Sequence, residues 1–288
     1  MTERFSSHFE NDEAHVSQSV LLELMTILGR YRDALYLVGG WAPYYLLKQF
    51  QKSDDDFQHV GSIDIDLAID FTKISEKEYA GIVELLEKRG YKGRKDRRGK
   101  DIPFSFERPL QGLNLAIDFL AGEYGGTDKT HRHQRVQDEF MARKARGADL
   151  LSEHHLLLQL DGYLPDGSHH CCDLRLGNLV SILSMKGITI SERYKEKDAY
   201  DIYALIAHYK EGALSCFDEI APFCKQGLVK EGMKSICEKF SSEKSVGPTW
   251  AAKFIEPDNP MAAKVKQTEI YLQVISFVEK ILRVLSKH

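Results

Sequence analysis

The chain is poor in cysteine, and none of it is arranged for chemistry. There are five cysteines, an odd number, with no C-x-x-C pair, and Cys171 and Cys172 are adjacent. Adjacent cysteines suit neither a disulfide framework nor a zinc ribbon, so we expect reduced thiols and a cytoplasmic protein. Long apolar runs are also missing. None approaches the ~18 residues of a membrane span, and the opening Met1-Thr-Glu-Arg-Phe-Ser-Ser-His lacks the apolar centre of a secretory signal. No membrane partner is expected. An excess of one charge is absent as well: the formal net charge is −4. Any attraction for nucleic acid must therefore come from local basic segments. The 288 residues suffice for one large domain or two smaller ones with a real core.

What is present is organised around Leu35 to Asp70. An apolar run, Leu35–Val38, ends in Gly39-Gly40. A short amphipathic helix follows over Trp41 to Phe50, with Pro43 in its first turn, where a missing N–H costs little. Gln51 to His59 is a polar loop, and its triplet Asp54-Asp55-Asp56 reads as solvated. The next run, Gly61-Ser62-Ile63-Asp64-Ile65-Asp66-Leu67, places two carboxylates one residue apart. In a strand, residues i and i+2 share a face. Asp64 and Asp66 then point together, with Ile63, Ile65 and Leu67 opposite. Two carboxylates on one face repel unless a cation lies between them, and Mg2+ is the usual hard cation. Gly-Gly before a helix lets backbone N–H groups approach an anion. Alone, Asp-x-Asp is commonly a solvated strand end and Gly-Gly a turn. Their order along the chain is much more specific.

Upstream, Val16, Val20, Leu21, Leu24, Met25 and Leu28 recur at helical spacing between Glu13 and about Tyr31, after a polar stretch over 1–12. Downstream, Ser75 to Glu78 reads as a capping box opening a helix that Gly90 closes, with Tyr79, Ile82, Val83 and Leu86 inward. Lys92 to Lys100 is strongly basic. Its default reading is a solvated loop, and its functional reading is contact with a phosphate backbone. Ile102 to Arg108 and Leu113 to Leu120 alternate as strands about the turn Pro109 to Gly112. Leu113, Leu115 and Ile117 face the core, so Asp118 faces the other way. A second polar stretch, 122–155, holds Lys129, His131, Arg132, His133, Arg135, Arg143, Lys144 and Arg146. His131-x-His133 lacks further ligands at zinc-like spacing. Leu156–Leu160 and Asp173–Leu176 read as strands about Pro165 to Gly167. His169 to Asp173 lies on the second, passing from solvent to core.

A second constellation follows. Asn178 opens a helix with Leu179, Ile182 and Leu183 inward, carrying Met185-Lys186-Gly187. About a dozen residues later comes Lys197-Asp198-x-x-Asp201-x-x-x-Leu205. From spacing alone this is equally a salt-bridged helix. From His208 the chain reads helical, broken by a loop over Pro248 to Pro260. A last helix, about Met261 to Ser286, would bury Val265, Leu272, Ile275, Val278, Leu282 and Leu285.

The order strand, Gly-Gly, helix, loop, Gly-Ser-x-Asp-x-Asp resembles the nucleotidyltransferase superfamily. With Met-Lys-Gly and Lys-Asp-x-x-Asp it resembles in particular the AbiEii-type, toxin-like nucleotidyltransferases, over roughly residues 20–205. The resemblance implies an α+β nucleotidyltransferase fold, a small mixed β-sheet flanked by helices, over 1–207, with a helical C-terminal region over 208–288. It implies Mg2+ on Asp64, Asp66 and Asp118, with Asp118 helping to activate the acceptor. It further implies phosphate cradled by Gly39, Gly40 and Ser62, Lys186 reaching the triphosphate, and Asp198 or Asp201 orienting the site. Lys, a mobile point charge, suits phosphate. The implied activity is transfer of NMP from NTP to an acceptor, with tRNA as a possible acceptor and a cognate antitoxin as a possible partner. Many relatives carry an Arg shortly before Asp-x-Asp. Here that segment is Gln58-His59-Val60-Gly61-Ser62, so no Arg role in nucleotide choice is carried over. The alternatives are a small-molecule, antibiotic-like nucleotidyltransferase and a non-catalytic nucleotide- or RNA-binding module. Three clustered carboxylates argue against the last, since pure binding does not need them.

Overall fold

The computed structural model describes residues 11–74, 76–123, 133–135 and 141–286; the side chains of 11, 12, 76–80, 133–135 and 141 are not described. Residues 1–10, the Ser75 cap, the Tyr79 side chain, and Lys129, His131, Arg132, His133 and Arg135 as candidate contacts lie outside what is described. The fold is mixed α/β with a helical C-terminal region. Packing divides it into two compact units, Glu10–Trp41 with Ser62–Gly177, and Ala42–Gly61 with Asn178–His288. These do not follow the ranges 1–207 and 208–288 drawn from the sequence.

In chain order, the first unit begins with α1 (Asn11–Ile27), a 3-10 turn over Gly29–Ala34 and β1 (Leu35–Val38). The helix α2 (Trp41–Phe50) starts in this unit and continues in the other. The first unit resumes with β2 (Ile65–Ile69), α3 (Glu76–Lys88), β3 (Lys92–Lys95), β4 (Asp101–Leu110), β5 (Leu113–Ala121), β6 (His133–Arg135), β7 (Met141–Lys144), β8 (His155–Tyr163) and β9 (His169–Gly177). Its strands form one mixed sheet in the order β3-β4-β5-β2-β1-β9-β8, with β7 beside β5 and β6 beside β7. It is mixed, as expected, but with nine strands among the described residues it is larger than the small sheet anticipated.

β2 is central and runs parallel to β5 and antiparallel to β1. Ile65, Leu67, Ile117 and Phe119 are fully buried. Burying each is worth about 1.5–3 kcal/mol. A one-residue slip would move Ile65, Leu67, Ile117 and Phe119 onto the carboxylate face. This burial fixes the opposite-facing Asp66 and Asp118 in register.

The basic stretch Lys92–Lys100 is not a loop. Its first half is β3, and Asp96 accepts from the backbone N–H groups of Arg98 and Lys100, closing a tight turn into β4. Gln111 and Gly112 both take positive φ, 51° and 81°. That is the pattern of a two-residue hairpin turn, so β4 runs through Pro109 to Leu110.

The second unit is helical: after residues 42–61 it holds α4 (Leu179–Glu192), α5 (Glu196–His208), α6 (Ala213–Ile220), α7 (Gly227–Lys239), α8 (Val246–Ile255) and α9 (Pro260–Leu285). Asn178 caps α4, accepting from the N–H groups of Val180 and Ser181. Two expectations are corrected here. Pro248 sits in the first turn of α8, where proline is tolerated, so the segment expected as a loop is mostly helix. In α9 the buried stripe is Ile270, Val274, Phe277, Val278 and Ile281, whereas Val265, Leu272 and Leu282 are exposed. The helix carries two apolar stripes, and periodicity alone does not say which one meets a partner.

Candidate functional site

β1 delivers Gly39 and Gly40 at its C-terminal end. Val38 pairs with Asp66, and Asp66 pairs in turn with Asp118 across the parallel β2–β5 ladder. The two carboxylates therefore stand side by side on one face of neighbouring strands. Asp64 lies just before β2, two residues from Asp66, and is partly exposed like Asp66 and Asp118. Gly39 has φ +67°, and a Cβ there would collide with the Asp66 carboxylate. Glycine is required at this position on both counts. Gly40 and Ser62 are buried.

The approach to Asp64 is pinned from α1. The fully buried Trp41 indole N–H donates to Ser17 Oγ at 3.1 Å, and Ser17 Oγ donates to the Ile63 carbonyl at 3.0 Å. Ser17 and Trp41 thus hold the backbone one residue before Asp64. On β4, Ser105 pairs with Asp118 and donates its hydroxyl proton to Asp118 Oδ1. Arg94 Nη1 donates to Ser105 Oγ at 3.1 Å. Neither Ser105 nor Arg94 stands out for this role in the sequence.

The other candidate residues lie in the helical unit, on α4 and α5. Lys186 Nζ meets Asp198 Oδ1 at 3.0 Å and Asp201 Oδ2 at 2.6 Å. Arg193 holds Asp198 through Nε at 2.8 Å and Nη2 at 3.1 Å. Lys197 Nζ meets Asp201 Oδ1 at 2.8 Å. Lys186, Asp198 and Asp201 are all buried, and Arg193 is the more exposed end of the network. Burial works against every charge here. For Asp198 and Asp201 the neighbouring cations outweigh it and hold both carboxyls below their usual range. Lys186 is pulled down by burial but raised on balance by Asp201 and Asp198. For Lys197 burial outweighs Asp201, and its pKa is lowered.

His59, not foreseen as part of this cluster, completes it. The Gly61 N–H donates to His59 Nδ1 at 3.0 Å, so the ring proton sits on Nε2 and is donated to Asp201 Oδ1 at 3.1 Å. Burial pushes the imidazole pKa down to about 4. Val60 N–H donates to the Tyr200 hydroxyl at 3.2 Å. The segment that leads to Gly61 is thereby tied to α5. Asp55, from the triplet expected to be solvated, pairs with His208 at 2.7 Å and accepts from the Phe57 N–H.

Among the described residues, no three His, Cys, Asp or Glu side chains form a ready-made metal cage, and no helix is long and apolar enough to cross a membrane. His169 to Asp173 lies along β9 and alternates in exposure until Leu174 is buried. The chain matches no model of a known protein family and no curated protein.

Proposed function

We propose that this chain is a Mg2+-dependent nucleotidyltransferase that transfers NMP from an NTP to an acceptor hydroxyl and releases pyrophosphate. The observation that carries the reading is the register of the carboxylates. Asp66 and Asp118 are paired positions on parallel neighbouring strands, with Asp64 two residues before Asp66. The Asp66 carboxylate is packed against Gly39 of the Gly-Gly turn. Carboxylates so placed repel one another and favour a bound cation.

The donor set fits Mg2+. This ion commonly takes one or two carboxylates and completes its shell with water and substrate phosphates, so a full protein cage is not required. Asp64, Asp66 and Asp118 would hold it. When bound, it would offset the triphosphate charge and stabilise the leaving pyrophosphate. The acceptor oxygen attacks the α-phosphorus and the bond to the β-phosphate oxygen breaks. Asp118 would take the acceptor proton or help to hold the cation. Gly39, Gly40 and Ser62 approach phosphate with backbone groups. For Lys186, Asp198 and Asp201 a nucleotide-binding role rests on the motif alone, since Lys186 is buried against both carboxylates within the helical unit. The acceptor class favoured by the resemblance is RNA, tRNA in particular, as in a toxin-like enzyme.

The test is incubation with each labelled NTP, Mg2+ and total RNA. Labelled RNA is expected from the unmodified chain. Asp64→Ala and Asp66→Ala should each abolish it, with melting temperature kept or raised, because each removes one of two repelling charges. Turnover surviving in both variants refutes the enzyme reading.

A further inference from the structure

Arg94 belongs by sequence to a basic surface run, but its side chain leaves that run. β3 pairs with β4 at Lys92↔Glu107 and Gly93↔Phe106, then slips to Lys95↔Asp101. Arg94 falls in the slip, and an irregularity of this kind re-aims a side chain. Lys92, Lys95, Arg97, Arg98 and Lys100 are exposed, whereas Arg94 is partly buried. Its guanidinium Nη1 donates to Ser105 Oγ and lies 3.7 Å from Asp118 Oδ1. Ser105, itself 1% exposed, donates to the same carboxylate oxygen. One hydroxyl can accept and donate at once, so Ser105 links the guanidinium to Asp118 as well as touching both. A fixed cation therefore rests on the carboxylate that stands beside Asp66.

We propose, on the basis of the nucleotidyl-transfer reading, that Arg94 is a triphosphate-binding residue which occupies Asp118 until nucleotide arrives. Two like charges at one register need a counter-charge. Without nucleotide, the guanidinium supplies it. With a divalent ion bound, Asp118 would be among the residues that hold it, and Arg94 would then be free to contact the phosphate oxygens. A planar guanidinium matches phosphate in a two-point contact that lysine cannot copy. Arg94 thus competes with the metal and assists the nucleotide. Those two effects have opposite signs, and a merely structural ion pair does not produce both.

The experiment uses the full chain and two binding measurements. Mn2+ alone is titrated and followed by electron paramagnetic resonance. Each NTP is then titrated in excess Mg2+ by calorimetry. In Arg94→Gln, Mn2+ should bind about threefold more tightly or better, because its competitor is gone, and the preferred NTP about tenfold more weakly, the scale of a single charge-assisted hydrogen bond. Arg94→Lys should return Mn2+ affinity toward the original and recover only part of the NTP affinity. Lys88→Gln, on the exposed face of α3 where Lys88 pairs with Glu84, should change neither. Melting temperatures confirm that each variant is folded. Unchanged NTP affinity in Arg94→Gln, or Mn2+ affinity that does not rise, overturns the proposal while leaving the nucleotidyl-transfer reading intact. An unmodified chain that binds no NTP in Mg2+ removes that reading, and the role of Arg94 with it.

Discussion

At the scale of single residues, His59 makes the most direct claim on measurement. Its pKa is about 4 in the folded chain and ~6.5 when unfolded. Between those values the unfolded chain binds the extra proton, so stability falls as the pH drops through that window. The loss between pH 7 and pH 5 should be about 2 kcal/mol from this group. Asp198 and Asp201, held low in the folded chain, lose their contribution only as the pH falls below the unfolded carboxylate range. Urea unfolding of the unmodified chain and of His59→Gln at both pH values isolates the effect. The variant should be less stable at pH 7 but lose about 2 kcal/mol less on acidification; an equal loss in both assigns the slope to other groups. Asp66 and Asp118 are legible in the sequence because strand alternation needs no tertiary information: Ile65 and Leu67, and Ile117 and Phe119, set the opposite face, whereas Asp64, expected on the same strand, lies just before β2. His59 is not, because a lone histidine near a glycine carries no sign of an aspartate on α5. Arg94 is hidden for a related reason. In a run of cations, composition cannot say which one a register slip will turn inward.

At the scale of elements, α4 and α7 meet backbone to backbone. A Cβ on Gly187 would collide with the Gly232 carbonyl, and one on Gly232 with the backbone of Ser184. Neither position can give way by moving a flexible side chain. Gly187→Ala should therefore destabilise the chain by about 1–3 kcal/mol despite alanine's better helix propensity, read as a lower urea midpoint. A neutral result means that the two helices can separate locally. In the sequence Gly187 stands out only as part of a motif with Lys186; its packing role depends on α7, far along the chain, which no local pattern reveals. The limits of β1 and α2 are legible because Gly-Gly separates two apolar segments sharply. The buried stripe of α9 is not, because Val265 and Leu272 repeat as regularly as Ile270 and Phe277, and only the packed partner distinguishes them. β3 escapes a reading by charge pattern, since a basic run looks solvated and the hairpin turn at Asp96 is what imposes the strand.

At the scale of the whole molecule, the proposed nucleotidyl transfer turns on which acceptor a chain of net charge −4 can attract. A polyanion gains nothing from the molecule's overall field, so affinity has to come from one face. The β3–β4 hairpin presents Lys92, Lys95, Arg97, Arg98 and Lys100 as exposed cations around a tight turn. With Arg94 turned toward Asp118, these are the side chains of the hairpin that would meet a phosphate backbone; the second basic segment, Lys129 to Arg146, lies in part outside the described residues. If RNA is the acceptor, its binding should weaken steeply with salt, since each neutralised phosphate releases a counterion. Replacing Lys95, Arg97 and Arg98 by Ala should lower the log–log slope by roughly 0.7 for each phosphate no longer neutralised and raise the apparent KM for RNA. The KM for NTP should stay where it is, because none of the three approaches the carboxylates through Ser105 as Arg94 does. A small-molecule acceptor behaves oppositely: it carries too little charge to release several counterions, so its turnover would be nearly flat from low to high salt and indifferent to the triple substitution. Salt-insensitive transfer, with label found only in small molecules, therefore rules out the RNA acceptor while leaving the carboxylate site in place.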